Sequence, residues 1–459
     1  MFNSKLLFFI IFSLGALFQL TINLGYASSQ PPNSGVFLAT GKSYAGYSNS
    51  PALLVLSNDR GRSWHAIDSK SPIASIKKSS CIGSGSNAFC VVIVSLNESP
   101  KTYDKLVIVN DLNTLEIKSD FSERNKIQFS EISCTSSMNP VCILGGTYIY
   151  HGQERQIFLS SEDKGQTWEE LNNYSTINTD FHCSGESPDV ICATKGGGLN
   201  YNPTFNLSTD VGKTWQPIYI PNPSEYLFEI NDMNCNANQF CIGSGYKILE
   251  KSWPYYPFLA FSADLGQTWH MPAIDNLPEH GEFTSTSCTN DNINCVTIGR
   301  HLTDDFHNWS PIIAVSNDSG LTWTKKEIIS NPSLKGELSK ISCTGSGNKT
   351  VCVAVGHTWL DDGINVAPLI VASTDKGDTW TIKRLSNLPL NANLLSIRCL
   401  EDGDKAICVA VGLKGGHNFQ NYHPFIAVSN DGSDTWKITS IHNLPEGVFG
   451  DLKEVDGSL

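Results

Sequence analysis

Three tryptophans of this 459-residue chain, Trp253, Trp309 and Trp359, sit in irregular segments crowded with groups that can hold a ligand. YKILEKSWPYYPF (Tyr246–Phe258) adds Tyr255 and Tyr256 to Trp253. RHLTDDFHNWSP (Arg300–Pro311) adds His301, Asp304, Asp305 and His307, and HTWLDDGINVAP (His357–Pro368) adds His357, Asp361 and Asp362. A fourth segment, LKGGHNFQNYHPF (Leu413–Phe425), has no Trp but carries His417, Tyr422 and His423. Aromatic planes beside carboxylates and amides suit sugars, whose C–H faces stack while their hydroxyls hydrogen-bond. The competing reading is that these long segments fold over a rim and bury their own rings. HLTDDFH has the donor types of a His/Asp metal site, but spacing in a loop does not fix a coordination geometry, and no metal is expected.

Composition removes other functions. Lys and Arg total 32 against 45 Asp and Glu, a net charge of −13. Phosphate contacts need a basic surface, so no nucleic-acid partner is expected. The chain has no Ser nucleophile elbow, P-loop or dinucleotide fingerprint, and no cofactor is expected. The partner that remains is a glycan, a peptide or a protein.

The amino terminus reads as an address. Lys5 precedes an apolar run from Leu6 to Leu20, followed by small residues at Gly25, Ala27 and Ser28. This predicts a signal peptide over residues 1–27, with an uncleaved anchor as the alternative. A short linker, residues 28–34, follows, and the protein is expected to be secreted or periplasmic. No other segment approaches 18 consecutive apolar residues, so no membrane span is expected after cleavage.

The elements that position these groups come from two interleaved repeats. The first is an eight-residue phrase: SNDRGRSW (Ser57–Trp64), SEDKGQTW (Ser161–Trp168), STDVGKTW (Ser208–Trp215) and SADLGQTW (Ser262–Trp269). It continues as SNDSGLTW (Ser316–Trp323), STDKGDTW (Ser373–Trp380) and SNDGSDTW (Ser429–Trp436), which account for the other seven of the ten Trp. A degraded copy, LVIVNDLNTLEI (Leu106–Ile117), fills the one double interval, giving eight units of about 54 residues. The second repeat sets the 14 cysteines in close pairs: Cys81 with Cys90, Cys134 with Cys142, Cys183 with Cys192 and Cys235 with Cys241. The later pairs are Cys288 with Cys295, Cys343 with Cys352 and Cys399 with Cys408. No CxxC occurs and His is not interleaved, so disulfides across strand hairpins are expected rather than a metal framework.

Each unit reads as strand, polar turn, strand, variable loop, third strand, phrase and fourth strand. Repeated antiparallel four-stranded units make a β-propeller, an all-β fold over residues 35–459 with eight blades expected and seven as the alternative. GVFLATG (Gly35–Gly41) resembles a second strand without a first, and NLPEGVFGDLKEV (Asn443–Val455) a first strand without a second. The two are expected to pair and close the ring.

The phrase resembles the Asp-box, or BNR, repeat of sialidases, sortilin-type receptors, xyloglucan-degrading glycosidases and photosystem II assembly-factor propellers. The resemblance implies that Asp59, Asp163, Asp210, Asp264, Asp318, Asp375 and Asp431 build turns rather than catalyse. Their carboxylates can accept backbone N–H bonds within the loop, and the Gly two residues on, replaced by Ser433 in the last copy, can take positive φ. It also implies that the boxes lie on the face away from the active centre. An active sialidase of this type would need an arginine triad, but few Arg follow the signal: Arg60, Arg62, Arg124, Arg155, Arg300, Arg384 and Arg398. No Phe/Tyr-Arg-Ile/Leu-Pro segment opens the first unit, and eight units differ from the family's six blades. A xyloglucanase-like hydrolase needs two opposed carboxylates, and that family joins two propellers. The expectation is a disulfide-stabilised binding propeller, with a glycoside hydrolase as the alternative.

Overall fold

The computed structural model describes residues 35–458 apart from 44–51, 68–72, 84–87, 99–100, 111–113, 119–126, 136–138, 172–180, 186–188, 196–203, 221–225, 236–239, 250–254, 290, 304–307, 361–364, 386–388, 390, 416–421 and 445–448. The signal and linker expectations, and Asp111 of the degraded phrase, lie outside the described residues.

Eight sheets follow one another along the chain, antiparallel except where Trp64 and His65 pair parallel with Ile441 and His442 in the first. Their innermost strands contact each other in a closed cycle, from Gly450–Ser458 through Ile73–Ile82 and onward to Ala392–Asp402, which returns to Gly450–Ser458. This is an eight-bladed propeller. Blade one is closed as the two orphan strands require: Val36–Ser43 pairs antiparallel with Gly450–Ser458, its register running from Val36 opposite Ser458 to Ser43 opposite Gly450. Blades five, six and seven begin with Tyr226–Cys235, Gly281–Cys288 and Gly336–Thr344. Their second strands are Cys241–Leu249, Cys295–Leu302 and Val351–Trp359, and their third strands Tyr255–Ser262, Trp309–Ser316 and Val366–Ser373. Blade five departs from the four-strand plan: beyond its three strands only a bridge, Phe261 to His270, remains. Pro272 follows at once, and a residue without an N–H cannot extend that ladder.

The core lies between blades. Val296, Ile298, Ile313 and Val315 of blade six pack with Ile341, Ala354, Leu369, Val371 and Trp380 of blade seven. Middle strands therefore bury both faces, as in the fully buried Val366–Ser373. Toward the axis, a serine preceding the first-strand Cys ties four of the blades to the next. The N–H groups of Cys134, Cys183, Cys343 and Cys399 donate to Ser80, Ser133, Ser287 and Ser342 Oγ at 2.8–3.0 Å. Cys81 N–H donates to Asp456 Oδ2 at 2.7 Å, so the carboxy-terminal strand joins the same belt.

All seven expected disulfides form, each between directly facing residues of a first and a second strand. Cys81 is bonded to Cys90, Cys134 to Cys142, Cys183 to Cys192 and Cys235 to Cys241. Cys288 is bonded to Cys295, Cys343 to Cys352 and Cys399 to Cys408. Their Cα atoms lie 4.0–4.1 Å apart, so every bridge closes its own hairpin and none links two blades. The second-strand partners Cys90, Cys142, Cys192, Cys352 and Cys408 are wholly shielded from solvent.

The phrase folds as its chemistry requires. In blade seven, Ser373 Oγ and Thr379 N–H donate to Asp375 Oδ1, and Thr379 Oγ1 donates to Oδ2. Two successive residues take positive φ, Lys376 at 64° and Gly377 at 86°, so the turn needs one more left-handed position than the glycine supplies. In the variant last copy these positions fall to Gly432 and Ser433, at 77° and 74°. Trp380 Nε1 donates to Gly377 O, and its fully buried ring wedges against blade six.

Two outcomes follow for these turns. Replacing Asp375 with Ala removes three hydrogen bonds in one partly exposed turn and should cost about 1–2 kcal/mol in denaturant titration. The second outcome concerns acid. Burial opposes ionisation of Asp163, Asp210, Asp318, Asp375 and Asp431, but the Thr, backbone and Ser donors outweigh it and hold them below the ordinary value. Asp264 is lowered by the Thr268 side chain and backbone first. A depressed folded value stabilises above the unfolded pKa, about 3.9, and that contribution is lost as pH falls through the folded value. The boxes should therefore leave melting unchanged between about pH 7 and 5 and lower it below about pH 4. Asp375→Asn should flatten that acid limb, and an identical limb in the variant would contradict this account.

Candidate functional site

Close backbone approach sets the site in blades five to seven. Where the second strand carries Gly245, Gly299 and Gly356, a Cβ would lie 1.9 Å from the carbonyl oxygens of Glu229, Glu282 and Glu337 on the first strand. Only glycine fits there, and each first strand shifts register at that point. The residue after each glycine then pairs with the acidic residue: Tyr246 with Glu229, Arg300 with Glu282 and His357 with Glu337. Because pleated side chains alternate, Tyr255 and Trp309 on the third strands and Trp359 on a second strand share the face of these pairs.

Arg300 is the hub. Its Nε donates to Glu282 Oε1 at 2.8 Å and its Nη1 to Glu337 Oε2 at 2.7 Å, tying blade six to blade seven. The guanidinium carbon lies 4.6 Å from the centre of the Trp309 ring, a cation–π contact. Asn231 of blade five donates Nδ2 to Glu282 Oε2 at 3.2 Å and to Phe283 O at 2.8 Å. Tyr255 is 5.6 Å from Tyr246, and the His357 ring is 5.2 Å from Trp359 in an edge arrangement. All these side chains are half-buried, Arg300 with 33% of its side chain accessible.

Burial, then Glu282, pushes the Tyr255 hydroxyl up to about 12, and burial with Glu229 raises Tyr246. Both are neutral donors at physiological pH. Burial holds His357 below the ordinary imidazole value against the pull of Glu337 and Asn393. Asn393 is close enough to act on the ring, but among the described residues His357 Nδ1 and Asn393 Oδ1 are buried without a well-formed hydrogen bond. The cluster thus offers aromatic faces, neutral hydroxyl and imidazole donors, and fixed carboxylates.

The structure separates the sequence-derived site residues. Tyr255, Trp309, His357 and Trp359 join the cluster, and they sit at strand ends rather than in loops because the hairpins extend to the rim. Tyr256 and His301 alternate to the opposite sheet face. Tyr256 OH donates to Glu279 at 3.3 Å, and His301 Nδ1 lies 2.9 Å from Leu302 O. Tyr422 and His423 belong to the joint between blades eight and one, where Gly450 N–H donates to Tyr422 O and His423 lies 5.1 Å from Phe449. Trp253, Asp304, Asp305, His307, Asp361, Asp362 and His417 lie outside the described residues. Glu229, Tyr246, Glu282, Arg300 and Glu337 were not singled out as site residues. Their signal is a first-strand Glu before an apolar residue, matched to a second-strand Gly followed by Tyr, Arg or His.

This face also carries the connections between blades. Leu302 N–H donates to His280 O and Trp359 N–H to Lys335 O, joining hairpin ends to the preceding crossover. The boxes lie at the other end of the hairpins, where Arg60 of the first box pairs with Asp402 of blade eight at 2.6 Å. Among the described residues no three arginines converge. Arg155 covers Tyr150, Arg300 is held by its glutamates, and Arg398 lies 3.6 Å from Asp456 at the axis. His182 shares that axial region; its side chain is open to solvent, yet the protein mass crowding the channel, then Arg398, lowers its pKa against Asp232 and Asp456.

No protein-family model matches the chain, and no curated protein matches it. Among solved structures, YCF48 bound to D1 peptide is similar with a TM-score of 0.42 and 14% identity, covering 76% of this chain and 93% of that one. An ulvan lyase from a new polysaccharide lyase family, PL25, gives a TM-score of 0.43 and 11% identity, covering 78% and 92%. The Penicillium chrysogenum alpha-L-arabinanase complexed with arabinobiose gives 0.33 and 11%, covering 66% and 93%. These neighbours are β-propellers, and at such identities the likeness is one of fold alone.

Proposed function

We propose that this protein is an exported recognition propeller that binds a glycan on the loop face of blades five to seven. The observation that carries this reading is the gathering of Tyr255, Trp309, His357 and Trp359 around the Glu282–Arg300–Glu337 bridge. Flat rings beside fixed acceptors and neutral donors match the alternating C–H faces and hydroxyls of a sugar. The seven cystines support export, because such bonds persist in oxidising compartments. Among the described residues no helix is long and apolar enough to cross a membrane.

Binding is favoured over hydrolysis by one geometric fact. A glycosidase needs its two carboxyl groups to face a scissile bond across an open gap. Here the Arg300 guanidinium lies between Glu282 and Glu337 and engages both. A glycan array combined with a panel of fluorogenic glycosides tests the reading: oligosaccharide binding without fluorophore release is expected. Turnover would make the protein a hydrolase, and an empty array with capture of peptides would move the ligand to another class.

A further inference from the structure

The cation that would recognise an acidic sugar at this site is already engaged. Arg300 directs Nε and Nη2 to Glu282 and Nη1 to Glu337, and Trp309 covers one face of the guanidinium. A carboxylate or sulfate on a ligand would have to displace one of these internal carboxylates. Three successive blades each place a glutamate at the same register position, Glu229, Glu282 and Glu337, against the single charge of Arg300. The ion pairs here go to Glu282 and Glu337, leaving the Glu229 carboxylate without a cationic partner among the described residues. Lys247, on the alternate face of its strand, lies over the Tyr226 ring. Tyr246 and Tyr255 stand beside Glu229 and Glu282 with their rings 5.6 Å apart. Aromatic faces next to an unspent carboxylate are the chemistry that holds an ammonium group.

We propose that this site takes a sugar bearing a protonated amine and rejects carboxylated or sulfated sugars. Glu229 supplies the counter-charge, Tyr246 and Tyr255 the π faces, and Trp359 the platform for the adjoining ring. The proposal rests on the reading of this cluster as a glycan site.

Titration calorimetry on the full chain at about pH 5.5, where a sugar amine is protonated, compares three probes of equal length. These are glucosamine oligomers, their N-acetylated counterparts and oligogalacturonates. The glucosamine oligomer should bind about tenfold more tightly than the N-acetylated one, the worth of one partly screened charge pair, and oligogalacturonate should not bind. Glu229→Gln should erase that preference, so that the amine and its acetylated form bind alike, whereas Trp359→Ala should weaken both. Equal affinity for the amine and its acetylated form would overturn the charge inference and leave the glycan site standing. So would preferential binding of oligogalacturonate, or of neutral glycans alone. Failure of every oligosaccharide, with an empty glycan array, would overturn the underlying reading instead.

Discussion

Complete reduction of the seven cystines should unfold this protein under conditions in which the oxidised form is native. Each bridge spans 6 to 9 residues. Loop entropy assigns about 2–3 kcal/mol to closing a loop of that length. Seven such terms together match or exceed the net stability of a typical domain, about 5–15 kcal/mol. Circular dichroism and tryptophan emission with and without a strong thiol reductant measure the effect. Loss of the cooperative transition is expected, and a reduced protein melting within a few degrees of the oxidised one would refute it.

The second large effect should come from removing the carboxy-terminal strand. Residues 450–458 supply the innermost strand of blade one, and Leu452 and Val455 are 0% and 5% exposed in a core shared with blade eight. Burial of those two side chains alone is worth about 3–6 kcal/mol. Deletion also strips the ladder from Val36–Ser43, leaving an open inner edge beside Phe37 and Ala39. It further removes the Asp456 acceptor from Cys81 N–H. The truncated protein should lose its cooperative melt and aggregate. A soluble truncated form with native melting would show that ring closure contributes little.

Much of the fold was legible because its signals are local. The repeated phrase is a single turn whose Ser, Asp, Gly and Thr hydrogen-bond within eight residues, and each Cys pair staples one hairpin. Blade number and ring closure then followed from counting. Blade five shows the limit, since its third strand is regular while Pro272 truncates the fourth against the repeat's own pattern. Only part of the candidate cluster was legible. Subtracting the seven box tryptophans points to Trp309 and Trp359, but the sequence drew attention to Asp304, Asp305, Asp361 and Asp362 as the carboxylates. The carboxylates that the described residues bring to those rings are Glu282 and Glu337, which meet Arg300 from 18 residues before and 37 after it. That meeting depends on a glycine-permitted close approach within blade six and on contact with the neighbouring blade. No local periodicity encodes contact between blades.

Recognition is proposed on the loop face of blades five to seven, and not on the opposite face, which carries the repeated turns. Calorimetric titration of one array-selected oligosaccharide into wild type, Trp359→Ala and Asp375→Ala tests it most directly. Trp359→Ala should weaken binding by about 2–4 kcal/mol, the usual worth of a central aromatic anchor, with little change in melting. Asp375→Ala should melt earlier and bind with unchanged affinity. Undiminished binding by Trp359→Ala, together with binding lost in a folded Asp375→Ala variant, would place recognition on the opposite face and contradict the account.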